Sequence, residues 1–134
     1  MAGKPIARQN DQVIAIDTHI VLVPAGPALV PTPLPHPFSG SLDGNLSTTV
    51  IANGKPVATV DSTATNQPSH IPTPPGTSFQ KPPANKGTVL MGSQTVKVGG
   101  KVAARAGDIV ETCNDPADLP VGNIVAVGTV MVGG

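Results

Sequence analysis

Glycine and proline interrupt this sequence at short intervals, with 15 glycines and 16 prolines among 134 residues. Proline lacks the amide hydrogen that a helix interior needs, and glycine loses the most conformational freedom there. The stretches between them show no apolar residues at helical spacing, whereas β-branched residues are frequent. We therefore predict an all-β chain with almost no helix, forming one domain over residues 1–134.

Strand patterns occur in four stretches. Runs of β-branched or alternating residues indicate strands over 13–23, 47–61, 88–98 and 123–132. The second stretch contains Asn53-Gly54 between apolar flanks, which is a strong signal for a hairpin turn. The proline-rich stretches 24–37 and 68–83 are predicted to be extended surface loops, because proline cannot donate to a sheet ladder.

The composition restricts what the chain can bind. Its formal net charge is zero, and its only aromatic residues of the Phe, Trp and Tyr types are Phe38 and Phe79. Nucleic-acid binding needs clustered basic side chains or stacking aromatics, so nucleic acid is excluded as a partner. There is no apolar signal region at the start and no stretch of membrane-spanning length. We expect synthesis in the cytoplasm without a signal peptide, and any export by a non-classical route.

A short motif that starts with glycine and lysine recurs along the chain. Its copies read GKPIAR, GKPVAT and GKVAAR, and they start at Gly3, Gly54 and Gly100. An aspartate follows each copy, at Asp11, Asp61 and Asp108. The resulting repeats, near 3–19, 54–70 and 100–113, fit a pseudo-threefold axis, and they equally fit three ordinary hairpins with similar turns.

The three histidines and the single cysteine are candidate metal ligands. His19 and His70 lie at the same distance after their motif lysines, Cys113 lies slightly nearer to its own, and His36 lies in the first proline-rich stretch. Each histidine alone would be an ordinary strand or loop residue. Together with a cysteine that has no disulfide partner, they suggest one shared ion. Zinc suits imidazole and thiolate ligands, and four of them complete a tetrahedron.

The segment from Val89 to Asp108 resembles the PAAR-repeat family, because its VAAR sequence at 102–105 is the family motif with valine in place of proline. The PIAR sequence at 5–8 is a weaker copy, and the segment 54–61 is weaker still, with Thr59-Val60 where arginine and glycine would be expected. The resemblance implies a short cone of β-hairpins with pseudo-threefold symmetry and proline-rich loops. It also implies one zinc ion near the apex, with the ligands His19, His36, His70 and Cys113.

The same resemblance implies a function. The chain would be the structural tip that caps and sharpens the spike of a bacterial contractile injection system, either a type VI secretion system or a phage-like extracellular particle. Its partner would be a trimeric spike protein of the valine–glycine repeat type, with one tip per trimer. The tip would be a monomer by itself, although a homotrimeric tip is the rival. It would ride at the end of the apparatus, touch the target membrane only during puncture, and leave the cell or enter a target.

Two other functions stay open. The chain could be an adaptor that carries a non-covalently bound effector, since no fused effector domain is expected after the strand-like run that ends at Gly134. It could also be a small zinc hydrolase, which would need an open coordination position and a general base, and Glu111 is the only glutamate. We expect no enzymatic activity, because the chain offers no helical His-Glu pair for a zinc hydrolase and Cys113 lacks the basic surroundings of a catalytic thiol.

Arg8 and Arg105, the arginines of the motif, are expected to have a structural role. A guanidinium can form two parallel bonds with a carboxylate. We expect them to bond to Asp11, to Asp108 or to backbone carbonyls at the turns.

Overall fold

The computed structural model describes residues 3–133, and it contains strands and turns but no helix within that range. The prediction of an all-β chain is therefore confirmed. The same residues provide no helix that is long and apolar enough to cross a membrane. The strands are β1 (Lys4–Pro5), β2 (Gln12–Ala25), β3 (Ala28–Gly44), β4 (Ile51–Ala52), β5 (Lys55–Pro56), β6 (Thr63–Asn66), β7 (Ser78–Phe79), β8 (Lys86–Val89), β9 (Lys97–Val98), β10 (Lys101–Val102), β11 (Ile109–Thr112), β12 (Leu119–Val125) and β13 (Met131–Val132).

The larger sheet closes on itself. Strand β2 pairs with β3, β3 with β6, β6 with β8, β8 with β11, β11 with β12, and β12 returns to β2, all antiparallel. These strands, which we call the strand ring, form the arms β2–β3, β6–β8 and β11–β12. Closure matters because it leaves no unpaired edge where the strands meet. The buried side chains of the ring include Val13, Leu42, Ala64, Val89, Val110 and Ile124.

The three motif segments meet where the first strand of each arm begins. The amide of Ala7 donates to the carbonyl oxygen of Ala104 at 2.9 Å, that of Ala104 to Ala58 at 3.0 Å, and that of Ala58 to Ala7 at 2.9 Å. The backbone bonds thus run in a closed cycle, which we call the alanine cycle. All three alanines are fully buried. Interiors this closely packed do not accept larger side chains without displacement of their neighbours.

Three short strand pairs lie beyond the alanine cycle: β1–β13, β4–β5 and β9–β10. The turn between β4 and β5 has Asn53 and Gly54 at φ angles of 50° and 78°, and this confirms the predicted hairpin. Asparagine and glycine are the residues that adopt such angles most easily. The pairs enclose a second apolar cluster of Ile6, Ala52, Val57, Val98, Ala103 and Val132.

A tight turn follows each motif copy. In the second copy the Thr59 amide donates to the Ser62 hydroxyl oxygen at 2.9 Å. Ser62 therefore takes the place of the aspartate in this copy, while Asp61 lies one position earlier, exposed, with a φ angle of 78°. The equivalent bonds of the other copies join the Arg8 amide to Asp11 at 2.8 Å and the Arg105 amide to Asp108 at 2.7 Å.

The arginines of the motif bond to the predicted aspartates. Arg105 donates to both carboxylate oxygens of Asp108, at 3.1 Å from Nε and 2.9 Å from Nη2, and it also reaches the carbonyl oxygen of Gly92 at 3.3 Å. Arg8 lies 3.6 Å from Asp11, a looser contact. The Arg105–Asp108 pair has the bidentate geometry that strengthens such a bond.

The arm β2–β3 extends well beyond the strand ring as one long hairpin. Its pairing runs from Gln12 opposite Ser41 to Ala25 opposite Ala28. The prediction of a loop over 24–37 is therefore wrong. This hairpin is about 44 Å long at the usual rise per strand residue.

The prolines of β3 are compatible with pairing because of where they lie. Along an antiparallel strand, the backbone amide and carbonyl groups of successive residues point alternately to the strand on one side and to the strand on the other. The carbonyl oxygens of Pro35 and Ser39 accept bonds from the segment 67–73, so the odd-numbered positions of β3 face away from β2. All the prolines of β3 lie at odd-numbered positions, so no hydrogen bond to β2 is lost. They are Pro31, Pro33, Pro35 and Pro37.

Two other predicted strands are interrupted. The stretch 88–98 contains β8 and β9 with irregular chain between them, and 123–132 contains the end of β12 and then β13. A glycine in each break lies close to a distant segment. A Cβ atom on Gly92 would lie within 2.4 Å of the Ala103 carbonyl oxygen, and one on Gly128 would lie 3.1 Å from the guanidinium carbon of Arg8. In the stretch 68–83, predicted to be a loop, only β7 is a strand.

Candidate metal centre

The long hairpin carries part of a buried polar group near its middle. Asp17 and His19 are two residues apart on β2, so both side chains point to the same face. Asp17 is 0% exposed and His19 is 1% exposed. His70, from the loop after β6, and Cys113, directly after β11, approach the same face. Each arm of the strand ring therefore contributes at least one residue.

These four side chains form a group that could hold a metal ion. One potential ligand atom from each of Asp17, His19, His70 and Cys113 lies within 4.8 Å of all the others. His70 Nε2 is 2.9 Å from Asp17 Oδ2, and the Cys113 Sγ is 3.5 Å from the same oxygen. The Sγ is also 3.6 Å from His19 Nε2. The four atoms thus point toward one small volume.

The other oxygen of Asp17 is fixed by neighbouring donors. The Thr112 hydroxyl donates to Asp17 Oδ1 at 2.5 Å, and the Asn114 side-chain amide approaches it at 3.5 Å. The Asn114 side-chain oxygen in turn accepts the Thr18 amide at 2.6 Å. These contacts leave Oδ2 aimed at the histidine and cysteine side chains. Partners of this kind hold a metal ligand in orientation.

A second carboxylate contacts His19 at the ring nitrogen that faces away from Cys113. Asp115 Oδ2 lies 3.3 Å from His19 Nδ1 and accepts the Ile20 amide at 2.9 Å. With Nδ1 directed at a carboxylate, Nε2 is the ring nitrogen that faces Cys113. This is the arrangement by which an outer carboxylate fixes the orientation and tautomer of a metal-binding imidazole.

His36 lies beside this group and outside it. Its ring centroid is 5.4 Å from that of His19 and 5.6 Å from that of His70. Both nitrogens have other partners: Nδ1 donates to the Leu34 carbonyl oxygen at 2.9 Å, and Nε2 accepts the Thr73 amide at 3.1 Å. Burial is the main cause that lowers the pKa of His36. A neutral ring with a proton on Nδ1 suits both bonds.

Cys113 is buried, with 3% of its surface exposed. Burial is also the main cause that raises the pKa of its thiol to about 11, while a backbone bond to Lys86 acts in the opposite direction. The thiol therefore keeps its proton at neutral pH without a metal. Only the thiolate coordinates a metal, so binding would release this proton.

The chain's two phenylalanines flank the histidines. Phe79 has ring centroids 5.3 Å from His36 and 5.9 Å from His19, and Phe38 lies 6.1 Å from His70. An apolar shell of this kind limits the access of water and lowers the local dielectric. Both phenylalanines of the chain therefore lie beside the histidines.

The structure brings together three of the four residues predicted from the sequence: His19, His70 and Cys113. The assignment of His36 as a ligand stays a prediction, since its nitrogens bond to Leu34 and Thr73. Sequence reasoning missed Asp17. The available signal was its position two residues before His19 in a predicted strand, because such residues share one face.

No protein-family model matches this sequence, and no curated protein matches it significantly. The fold and the site define a class only in broad terms. The chain is an all-β protein of paired hairpins with a buried histidine–aspartate–cysteine group that could bind a metal ion.

Proposed function

We propose that this chain is the structural tip that caps and sharpens the trimeric spike of a bacterial contractile injection system. The observation that carries the proposal is the alanine cycle, in which three copies of one motif bond to each other in turn. A cycle of three like segments supports a pseudo-threefold arrangement, which would match a trimeric partner. One chain could then offer a similar surface to each spike subunit.

The outer shape favours the same function. Of the three arms, only β2–β3 is long, and this supports a body that narrows toward a single hairpin. The short pairs at the other end expose their first residues, Ile51, Lys97 and Met131, with Ile51 66% and Met131 55% exposed. We assign spike binding to this end. Force from a contracting sheath would then reach the target through the narrow end.

We further propose that one structural zinc ion stiffens the narrow end. A zinc tetrahedron with bonds of about 2.3 Å to sulfur and about 2.0–2.1 Å to nitrogen or oxygen has edges of about 3.5–3.6 Å at the sulfur. The distances from Cys113 Sγ, 3.5 Å to Asp17 and 3.6 Å to His19, agree with such edges. His70 would be the fourth ligand. Its Nε2 lies 2.9 Å from Asp17 Oδ2, closer than the about 3.3–3.4 Å edge of such a tetrahedron, so these two groups would move apart on binding. A closed set of four ligands leaves no position for an activated water, which favours a structural role over hydrolysis.

Binding to the spike is tested with a trimeric spike protein of the valine–glycine repeat type. We expect light scattering after size-exclusion chromatography to give one chain per trimer. The double variant Ile51→Asp/Met131→Asp should lose binding, because it buries charges in the interface. Ile71→Asp is the matched control, since Ile71 is 77% exposed but lies in the loop near the metal centre. A stable trimer of this chain alone, or no binding to the spike, would refute the proposal.

The zinc site is tested by metal analysis and by cobalt substitution. We expect one ion per chain, and less than about a tenth of an ion in protein purified without chelators would contradict the site. Loading with cobalt should give a thiolate charge-transfer band that disappears in Cys113→Ala. The fourth ligand is identified by two matched variants: if Asp17 binds the ion, Asp17→Asn changes the cobalt spectrum and weakens affinity, whereas His36→Gln leaves the spectrum unchanged. The reverse result would restore His36 to the set.

A further inference from the structure

The free end of the β2–β3 hairpin has an unusual surface. No Asp, Glu, Lys or Arg occurs between Asp17 and Asp43, and every residue from Pro24 to Pro31 is apolar and exposed. Leu29 is 55% exposed and Val30 is 45% exposed. Within the described residues, hydrogen bonds from the rest of the chain reach only to Leu22 on β2 and to Pro35 on β3. We call residues 23–31 the hairpin tip.

The backbone of the hairpin tip is also poor in free donors. The carbonyl oxygens of Ile20 and Leu22 accept bonds from outside the hairpin, so even-numbered positions of β2 face outward, and the next one is Pro24. On β3 the outward positions after Leu29 are prolines. Gly26 and Pro27 form the turn, with Gly26 at a φ angle of 60°. The alternation leaves only Gly26 and Leu29 with outward amides in this segment.

Exposed apolar side chains together with few outward backbone amides favour some partners over others. Either edge offers a protein strand few donors, because the prolines have no amide hydrogen and only Gly26 and Leu29 keep an outward amide. The tip also lacks the tyrosine, tryptophan and arginine side chains that anchor most protein interfaces. A lipid phase makes the opposite demands: it requires apolar side chains and a backbone without unsatisfied polar groups. The tip meets the first demand fully. It approaches the second, because its prolines leave only the outward amides of Gly26 and Leu29, and the outward carbonyl oxygens can bond to water in the interfacial region.

We propose that the hairpin tip inserts into the interfacial region of a lipid bilayer and binds zwitterionic membranes reversibly. The segment beyond Leu22 spans about 10 Å at the usual strand rise, which matches the depth of about 5–10 Å for interfacial elements. Binding is independent of anionic lipid, because the tip has no charge. The proposal goes beyond the spike hypothesis and does not depend on it, since the isolated chain is expected to bind.

A single introduced tryptophan can be observed without background fluorescence, because the chain has no tryptophan and no tyrosine. Leu29→Trp places one fluorophore on the tip, and Ile51→Trp places one on a comparably exposed residue at the opposite end. With phosphatidylcholine vesicles, we expect a blue shift and quenching by brominated acyl chains for Leu29→Trp only. Equal responses from both variants would mean that the added tryptophan causes the binding, and the proposal would fail.

Vesicle flotation tests the chain without a reporter. We expect Leu29→Ser/Val30→Ser to lower the lipid partition coefficient about tenfold, since each change removes exposed apolar surface. Ile51→Ser/Met131→Ser, which carries the same kind of change at the opposite end, should bind like the parent. Circular dichroism and metal content establish that each variant is folded. No flotation of the parent, or binding only to anionic vesicles in low salt, would overturn the proposal, whereas spike binding would be unaffected.

Discussion

The two ends of this molecule are held together in different ways. In the alanine cycle, the three motif segments are joined by backbone hydrogen bonds that recur from segment to segment, and the side chains packed beside them are mainly small and apolar. Around Asp17, the contacts are single side-chain bonds between polar groups that differ from arm to arm. The motif end is repetitive, and the hairpin end is unique.

This difference teaches which changes each end tolerates. Backbone bonds persist when side chains are exchanged for others of similar size, so the motif can vary from KPIAR to KPVAT and keep its geometry. A buried polar group has no such freedom, because an unpaired charge or donor inside a protein is costly. The motif end should therefore be sensitive to volume, and the hairpin end to chemistry and to metal.

The largest expected effect is metal removal. Structural zinc can contribute on the order of 10 kcal/mol of apparent binding energy. Its loss should lower the melting temperature strongly and speed hydrogen exchange at amides near His19 and Cys113. Amides of Ala7, Ala58 and Ala104 should keep more of their protection. Exchange mass spectrometry before and after chelation measures this contrast.

The matched control for metal removal is Cys113→Ala. This variant should melt like the chelated parent and should not respond to chelator. The alanine variants of His19 and His70 should behave in the same way, each far more destabilised than Arg8→Ala. Variants that melt like the metal-loaded parent would contradict a stabilising ion.

The second effect tests the motif end by volume. Ala104→Leu inserts three carbon atoms into the alanine cycle, where the exposed fraction is 0%. We expect a loss of about 1–3 kcal/mol in the free energy of unfolding, measured by denaturant titration. Ala28→Leu is the matched control at the exposed hairpin turn, and it should change stability little. Equal effects from both variants would refute the tight packing of the cycle.

The third effect compares the two motif arginines. Arg105→Ala removes two bonds to Asp108, at 2.9 Å and 3.1 Å, and should cost about 2 kcal/mol. Arg8→Ala removes a single contact of 3.6 Å to Asp11 and should cost less than Arg105→Ala, because no hydrogen bond to the carboxylate is lost. Urea titration of both variants ranks them. The opposite order would show that the packing of Arg8 against Gly128 matters more than the ion pairs.

The last effect is a pH dependence that reports on the metal and is confined to alkaline pH. In the metal-free chain the folded thiol of Cys113 has a pKa of about 11, whereas 9.0 is the usual value. The unfolded state therefore loses its proton first as pH rises, and the free energy of unfolding should fall between these two values. With metal bound, the folded thiol is already a thiolate and this fall should disappear. Cys113→Ser without metal is the control and should also lack it.

The strands that could be predicted from the sequence are those with local signals. β2 followed from its β-branched run, and the β4–β5 turn followed from Asn53-Gly54, because both signals act through neighbouring residues. The breaks at Gly92 and Gly128 could not be predicted. They coincide with close approaches to Ala103 and Arg8, which are distant in sequence, so no local pattern marks them.

The proline-rich stretch shows a further limit of local reasoning. The rule that proline cannot donate to a ladder holds at each position, but it does not say which side of the strand each proline faces. The alternation in β3 turns every one of them outward. In the same way, His36 was predicted from its residue type, whereas the involvement of Asp17 depends on a hairpin register that the sequence does not state.

Strand β1 pairs with β13 next to the pairs β4–β5 and β9–β10, and it differs from them in having no connecting turn. The chain therefore passes through the three arms in turn. Two of the three short strand pairs connect one arm to the next, and the third, β1–β13, joins the first and last strands without a connecting turn. A short linker across Lys4 and Val132, with a new opening at Asn53-Gly54, would trace the same path from a different starting point. We expect such a circular permutant to form the same strand pairs, because the new connection joins residues that are already paired.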